Sequence, residues 1–194
     1  MKVNKKICVV GAGKWGINHI KTLSELNCLA GIVENKKDNM KNLSNQFPDI
    51  PIFLELDDAF NAKFDGYVVA TPAETHYDIA KLIINKGCSV LIEKPMTLNS
   101  SEAKELLELS NKNSVNVMVG HLLLFHPAII KIKEFIDEGK IGKLQYIYSN
   151  RLNLGQIRRE ENVFWSLAPH DISIFQYFTD NSFPIKIKAN GSAF

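Results

Sequence analysis

The stretch that decides the fold is the ten-residue run from Ile7 to Gly16, ICVVGAGKWG. Ile7 to Val10 read as a short buried strand, and Gly11, Gly13 and Gly16 follow it as GxGxxG. Behind them Ile17, Ile20, Leu23 and Leu26 recur at the helical period and place one apolar stripe on a helix. Strand, glycine turn and helix in that order predict the start of a dinucleotide-binding βαβ unit. The first glycine permits the tight turn, the second lets the backbone approach a pyrophosphate, and the third lets the helix pack closely on the strand. Free N–H groups at the helix N-terminus then face the phosphates. A glycine-rich turn with no ligand is the alternative, and an acidic residue further on argues against it. Glu34 closes the strand GIVE, 31–34, eighteen residues beyond Gly16, where a carboxylate accepts hydrogen bonds from both adenosine ribose hydroxyls. NAD is therefore the simpler cofactor. Lys36 and Lys37 follow at once and can hold a 2′-phosphate, so NADP stays open, as does a solvated helix start.

Outward from this run, short apolar segments alternate with helix-period segments as far as residue 120, the pattern of a parallel sheet with crossover helices. Strands are predicted near 6–11, 28–34, 51–53, 65–70, 88–93 and 115–120. Ile79, Leu82 and Ile83 stripe a later helix that Gly87 can cap, and Ser100 and Ser101 open another that Leu106, Leu107 and Leu109 continue. The fold class is α/β: residues 1–120 form an N-terminal Rossmann domain with a doubly wound parallel sheet. From 121 to 194 the rhythm changes to a helix near 127–138, a strand near 143–150, a polar loop, a helix near 169–179 and a strand from about 185. His126, ahead of Pro127, reads as a helix-opening residue. This second part is too short to close a sheet and stops at Ala193 and Phe194 in an unfinished strand, so strands are expected to be missing from it.

Composition narrows the function classes. With 194 residues the chain holds one full domain and part of a second, and 45% hydrophobic against 23% charged residues provides for a sizeable core. A net charge of +2, spread without a basic stripe, argues against nucleic acid as a partner. Cys8, Cys28 and Cys88 are odd in number, form no CxxC and sit in or beside apolar segments, which fits reduced thiols and a cytoplasmic location. Lys2, Lys5 and Lys6 before Ile7 imitate a signal peptide, but the glycines and Lys14 cut the apolar run short, so no export is expected. No apolar run reaches the ~18 residues of a membrane span. Neither HExxH nor a Cys/His cluster occurs, and no metal is expected.

Three further segments carry chemistry: ATPAETHYDIA at 70–80, VLIEKP at 90–95 and WSLAPHDIS at 165–173. Lys94 stands at a strand's carboxyl end, where open α/β sheets place their ligands. An ammonium there can hydrogen-bond an alcohol and favour its alkoxide; a surface lysine capping a strand is the alternative. Pro95 fixes the turn that follows, with a cis bond open to it. His170 is the candidate general base, since imidazole titrates near about 6.5; a buried histidine at a helix start is the alternative. Thr71 and Pro72 end a strand and open the next helix.

Glycine motif, Thr-Pro, Glu-Lys-Pro and a late His-Asp in this order resemble the Gfo/Idh/MocA oxidoreductases, the glucose-fructose oxidoreductase and inositol dehydrogenase family, from Lys6 to the last residue. The resemblance implies a Rossmann domain joined to a C-terminal α/β domain on a mostly antiparallel sheet, incomplete here, with nicotinamide and sugar meeting in the cleft between the domains. It implies that Lys94 touches the hydroxyl being oxidised and that Thr71, Pro72, Glu93 and Lys94 lie along the dinucleotide. Glu74 and His76 are then close to the nicotinamide side. Lys14 and Trp15 join the cofactor set, Trp15 lying over the cofactor or the domain seam, with plain packing equally open. His121, after the last Rossmann strand, is placed facing the substrate. His170 matches the family's late histidine, with Asp171 in an orienting role. Ser166 stands where members usually carry an aspartate; it can hydrogen-bond a sugar hydroxyl but brings no charge. Arg158, with Arg151 and Arg159 around it, suits a substrate diphosphate, a solvated basic loop being the alternative.

The implied function is an NAD(P)-dependent dehydrogenase that oxidises a ring hydroxyl of a sugar to a ketone. RREENVFWSLAPHDIS, 158–173, looks most like the branch acting on nucleotide sugars such as UDP-N-acetylglucosamine or its uronic acid. The alternatives are a truncated, catalytically impaired relic that still binds dinucleotide, and a dehydrogenase of free aldose or inositol. A homodimer or homotetramer built through the C-terminal sheet is the implied assembly.

Overall fold

The computed structural model of the chain describes residues 5–152 and 162–192. It divides into two compact units, residues 1–120 and 121–194.

The first unit runs β1 (Ile7–Val10), α1 (Gly16–Glu25), β2 (Leu29–Val33), α2 (Lys37–Gln46), β3 (Ile52–Phe53), α3 (Leu56–Phe60), β4 (Gly66–Val69), a 3-10 turn (Ala73–Thr75), α4 (His76–Asn85), β5 (Ser89–Ile92), α5 (Ser100–Asn113) and β6 (Val117–Val119). All six strands are parallel in the order β3-β2-β1-β4-β5-β6, the Rossmann arrangement, with the chain direction across the sheet reversing between β1 and β4. The six predicted strands all form. Helix α3 was not foreseen, and α2 only as the solvated helix start left open at Lys36 and Lys37: α2 buries only Leu43 and α3 is a single short turn region, so neither carries a readable stripe.

Side chains alternate across the sheet as the pleat requires. Cys8, Val10, Tyr67, Val69, Val90 and Ile92 join Ala80, Ile83 and Ile84 of α4 and Leu106 of α5 in one layer. Val9, Ile32 and Val68 join Ile20 of α1 and Leu43 of α2 in the other. Both faces are covered by helices, which is why the strands read as nearly continuous apolar runs. Gly87, at φ 72°, ends α4 as foreseen, and the Cys88 N–H reaches back to the Ile83 carbonyl at 3.2 Å. Burial pushes the Cys8 thiol up to about 12, which leaves it inert inside the core.

In the second unit a 3-10 turn (Leu122–Phe125) leads to α6 (Pro127–Asp137), and α7 spans Val163–Phe178. His126 opens α6 as foreseen, its Nδ1 accepting the Ala128 N–H at 3.2 Å. Two expectations are corrected. Residues 143–150 and those from 185 to 192 form no strand; they have the alternation of a strand, but no described segment offers them a ladder partner. Accordingly, the antiparallel sheet anticipated for this unit is not formed among the described residues. The last helix begins at Val163 rather than near 169, because Asn162 caps it by accepting the Trp165 N–H at 3.0 Å and Pro169 lies inside it. A proline there read as a helix start. Among the described residues no helix is long and apolar enough to cross a membrane.

Because Leu106 is fully buried between α5 and the sheet while Leu107 beside it is 58% exposed, the two should respond differently to truncation. Leu106→Ala is expected to cost about 2–5 kcal/mol and Leu107→Ala to stay within about 0.5 kcal/mol of the parent, both read by urea denaturation.

Candidate active site

Strand register builds the site. Val10 lies opposite both Val33 and Val69, Val69 opposite Ile92, and Ile92 opposite Val119. The residues just beyond these strand ends therefore emerge along one rim of the sheet: the glycine turn, Glu34, Thr71 with Pro72, Glu93 with Lys94, and Gly120. Ligands of open parallel sheets bind along that rim, at the point where the strand order reverses.

Each glycine of the turn is required for its own reason. Gly11 adopts φ +90°, and a Cβ there would stand 2.8 Å from Thr71 Cγ2. A Cβ on Gly16 would stand 1.9 Å from the Gly11 carbonyl oxygen, so only glycine lets α1 approach the turn this closely. Gly13 is the opposite case: a Cβ there would meet nothing within 4 Å. Its backbone faces open space at the N-terminus of α1, which no side chain caps. That surface fits a diphosphate received by backbone N–H groups. Lys14 and Trp15 are exposed on the same turn.

Glu34 is buried, and its carboxylate is held at three points. Oε2 accepts the Ala12 N–H and the Asn39 amide, each at 3.1 Å, and Oε1 accepts the Lys36 N–H at 2.8 Å. The side chain thus ties the end of β2 to the glycine turn and to the start of α2. Asn39 went unnoticed in the sequence. Lys36 and Lys37 stay exposed beside this carboxylate.

At the end of β4, Thr71 lies against Gly11, and the Thr75 hydroxyl is 2.7 Å from both the Thr71 hydroxyl and the Pro72 carbonyl. His76 is only 1% exposed. Its Nδ1 lies 2.8 Å from the Pro95 carbonyl oxygen and its Nε2 2.9 Å from that of Thr71. Both ring nitrogens thus face backbone carbonyls, which places His76 between the Thr71 and Pro95 turns. Glu74 lies in the 3-10 turn just before it.

At the end of β5, the Glu93 carboxylate accepts His19 Nε2 at 2.6 Å and the Lys94 N–H at 3.2 Å. Burial alone pushes the Glu93 carboxyl up. The hydrogen bond and charge of His19, with the N–H and charge of Lys94, more than offset this and hold it below the usual carboxylate range. Lys94 is half-buried, and the Lys94–Pro95 peptide is cis. His19 was missed from sequence; its signal was its place one turn beyond Gly16, beside the core residue Ile20.

In the second unit Ser166, His170 and Asp171 share α7, with Ser166 one turn before His170. The Asp171 carboxylate is gripped by Arg151, Nε to Oδ2 at 2.6 Å and Nη2 to Oδ1 at 3.1 Å, and accepts the Ser149 hydroxyl at 2.8 Å. The Arg151 guanidinium holds the Asp171 carboxyl below its ordinary range. Arg151 is thus committed to Asp171 rather than offered to a diphosphate, because its fork already faces a carboxylate. A cavity of about 480 Å³ is lined by this pair together with Phe164, Leu167 and Asn190. His121 precedes the 3-10 turn that opens the unit. Arg158 and Arg159 lie outside the described residues. No group of three or more His, Cys, Asp or Glu among the described residues is placed to hold a metal ion.

Residues 5–121 match the Gfo/Idh/MocA oxidoreductase family, NAD-binding Rossmann fold. The UDP-N-acetylglucosamine 3-dehydrogenase of Acidithiobacillus ferrooxidans is 25% identical over 197 residues, covering 98% of this chain and 59% of its own. The scyllo-inositol 2-dehydrogenase (NAD(+)) of Bacillus subtilis is 26% identical over 91% of this chain and 54% of its own. The solved structure of GenD2 from gentamicin A biosynthesis, in complex with NAD, superposes with a TM-score of 0.79 at 21% identity, covering 92% of this chain and 54% of that one. The chain therefore spans a little over half the length of these relatives.

Gly16→Ala should cost about 1–3 kcal/mol of stability through the clash with Gly11. Gly13→Ala should leave stability within about 1 kcal/mol and weaken NADH binding, a contrast read by urea denaturation alongside NADH fluorescence titration. The depressed Glu93 carboxyl contributes stability that is present above its ordinary value and lost as the pH falls through the lower folded value. Below about pH 4.5, the parent's urea midpoint should therefore fall more steeply than that of Glu93→Gln. Parallel midpoint curves for the two proteins would remove the assigned role of His19 and Lys94 at this carboxylate.

Proposed function

Since the chain belongs to the Gfo/Idh/MocA oxidoreductase family, with its NAD-binding Rossmann domain at residues 5–121, we propose that it acts as an NAD-dependent dehydrogenase oxidising a ring hydroxyl of a sugar, in the first instance a nucleotide sugar, to a ketone. The observation that carries this reading is the common rim, where the open face of Gly13, the buried carboxylate of Glu34, the Thr71–Pro72 turn and Lys94 follow one another at the ends of adjoining strands. The alignment with a UDP-N-acetylglucosamine 3-dehydrogenase over nearly the whole chain supports the nucleotide sugar. That with a scyllo-inositol dehydrogenase keeps a free polyol as the second substrate class.

Bound NAD supplies the hydride acceptor, at C4 of its nicotinamide. The residues of this chain supply the rest. The glycine turn and the N-terminus of α1 hold the diphosphate, and Glu34 accepts the ribose hydroxyls. The Lys94 ammonium donates a hydrogen bond to the substrate oxygen and stabilises it as alkoxide character develops. His170 takes the hydroxyl proton while the carbon-bound hydrogen departs as hydride, so that alcohol becomes ketone with both hydrogens accounted for. Ser166, one turn earlier on α7, offers a hydroxyl to the sugar. It carries no charge, so His170 performs the proton transfer without a carboxylate at position 166.

The test is NADH fluorescence after mixing the protein, NAD and UDP-N-acetylglucosamine, UDP-N-acetylglucosaminuronic acid or scyllo-inositol. Turnover with a UDP-sugar is expected, and His170→Ala should lower kcat by about 10²–10⁴-fold. Lys94→Ala should lower it by about 10²–10³-fold. NADH binding with no turnover on any of the three would favour a dinucleotide-binding relic, for which Ser166 already speaks.

A further inference from the structure

Lys94 is bracketed along the chain by two residues that imidazoles hold. Before it stands Glu93, whose Oε1 lies 2.6 Å from His19 Nε2. After it stands Pro95, whose carbonyl oxygen lies 2.8 Å from His76 Nδ1. The two histidines come from different places. His19 belongs to α1, the helix that the glycine turn opens, and His76 opens α4 directly behind the Thr71–Pro72 turn.

The geometry leaves these contacts little freedom. Glu93 is buried, and a Cβ on Gly120 would stand 3.2 Å from its carboxylate, so the backbone at Gly120 comes close to the side chain that His19 holds. A carbonyl oxygen can only accept. Hence both His76 contacts are hydrogen bonds when each ring nitrogen carries a proton, and a neutral ring keeps only one of them.

We propose that His19 and His76 are positioning residues for Lys94, locking the lysine's turn to the two segments that seat the dinucleotide, so that cofactor and ammonium keep a common frame. This rests on the dehydrogenase reading above. Bound dinucleotide then restrains Lys94 through its neighbours. Loss of either imidazole frees the turn without removing the surface that binds the dinucleotide.

The experiment measures acetylation of Lys94 by an N-hydroxysuccinimide ester, followed by peptide mass spectrometry in the full chain with and without saturating NADH. Exposed Lys104 on α5 serves as the internal reference. In the parent, NADH should slow Lys94 acetylation about ten-fold and leave Lys104 unchanged. His19→Leu and His76→Gln should bind NADH within about three-fold of the parent yet protect Lys94 less than about two-fold. His76→Asn, which keeps a donor at the Nδ1 position facing Pro95, should restore at least half of the protection, a rescue that a merely structural histidine would not show. Because His19 is partly exposed, its variant keeps the test decisive if His76→Gln fails to fold. Parent-like protection in a variant that binds NADH overturns the proposal, as does NADH binding to the parent without protection of Lys94. Failure of the parent to bind NADH at all overturns the dehydrogenase reading, and the proposal with it.

Discussion

A Cβ at position 16 would stand 1.9 Å from the Gly11 carbonyl oxygen, and the rest of the candidate site depends on the close approach that its absence allows. With α1 drawn against the end of β1, the helix presents its first N–H groups where the strand order reverses, between β1 and β4. One turn further along, the same placement brings His19 to Glu93 at the end of β5. Through Ala12 it brings the turn to Glu34 at the end of β2. A helix set back by even the radius of a methyl group would lose these contacts together, which is why the turn, two carboxylates and the lysine segment behave as one construction.

The carboxylates show how charge is held inside the fold. Burying an ionised carboxyl is costly unless donors replace the lost water. Glu34 receives three donors, two of them backbone N–H groups, and Glu93 receives an imidazole and a backbone N–H. Asp171 in the second unit receives a guanidinium fork and a hydroxyl. In each case the donors come from a different element than the carboxylate does, or from the next turn of chain. The charge therefore specifies geometry as well as being tolerated. Glu34 ties the end of β2 to the glycine turn, Glu93 ties the segment bearing Lys94 to α1, and Asp171 ties α7 to Ser149 and Arg151.

Where sequence reading fell short, the cause lay in weak or misleading local signals and in partners distant along the chain. Helix α2 hides because its only buried residue is Leu43, too little for a stripe. Helix α7 was started late because Pro169 looks like a first-turn proline, whereas Asn162 caps the helix seven residues earlier. Residues 143–150 and 185–192 alternate as strands do, yet alternation describes only which faces are apolar. A ladder also needs a second backbone to receive its hydrogen bonds, and no described segment supplies one. Arg151 read as a free guanidinium suited to a diphosphate until the fold set Asp171 twenty residues away in front of it.

What could be read from the residues alone was set by short-range chemistry. The six strands follow from runs of apolar residues between turn formers. The glycine turn follows from three glycines spaced GxGxxG directly between a predicted strand and a predicted helix, and the acidic end of β2, the Thr-Pro turn and the Glu-Lys-Pro segment follow from their place after predicted strands. Tertiary structure decided which of these meet. Strand order and register put Gly11, Glu34, Thr71 and Lys94 on one rim. They also set His76 as a buried link between two turns, and made the unremarked His19 the partner of Glu93. A side chain's neighbours 19 or 74 residues away along the chain are fixed by the packing of helices on the sheet, and nothing in its own sequence neighbourhood records them.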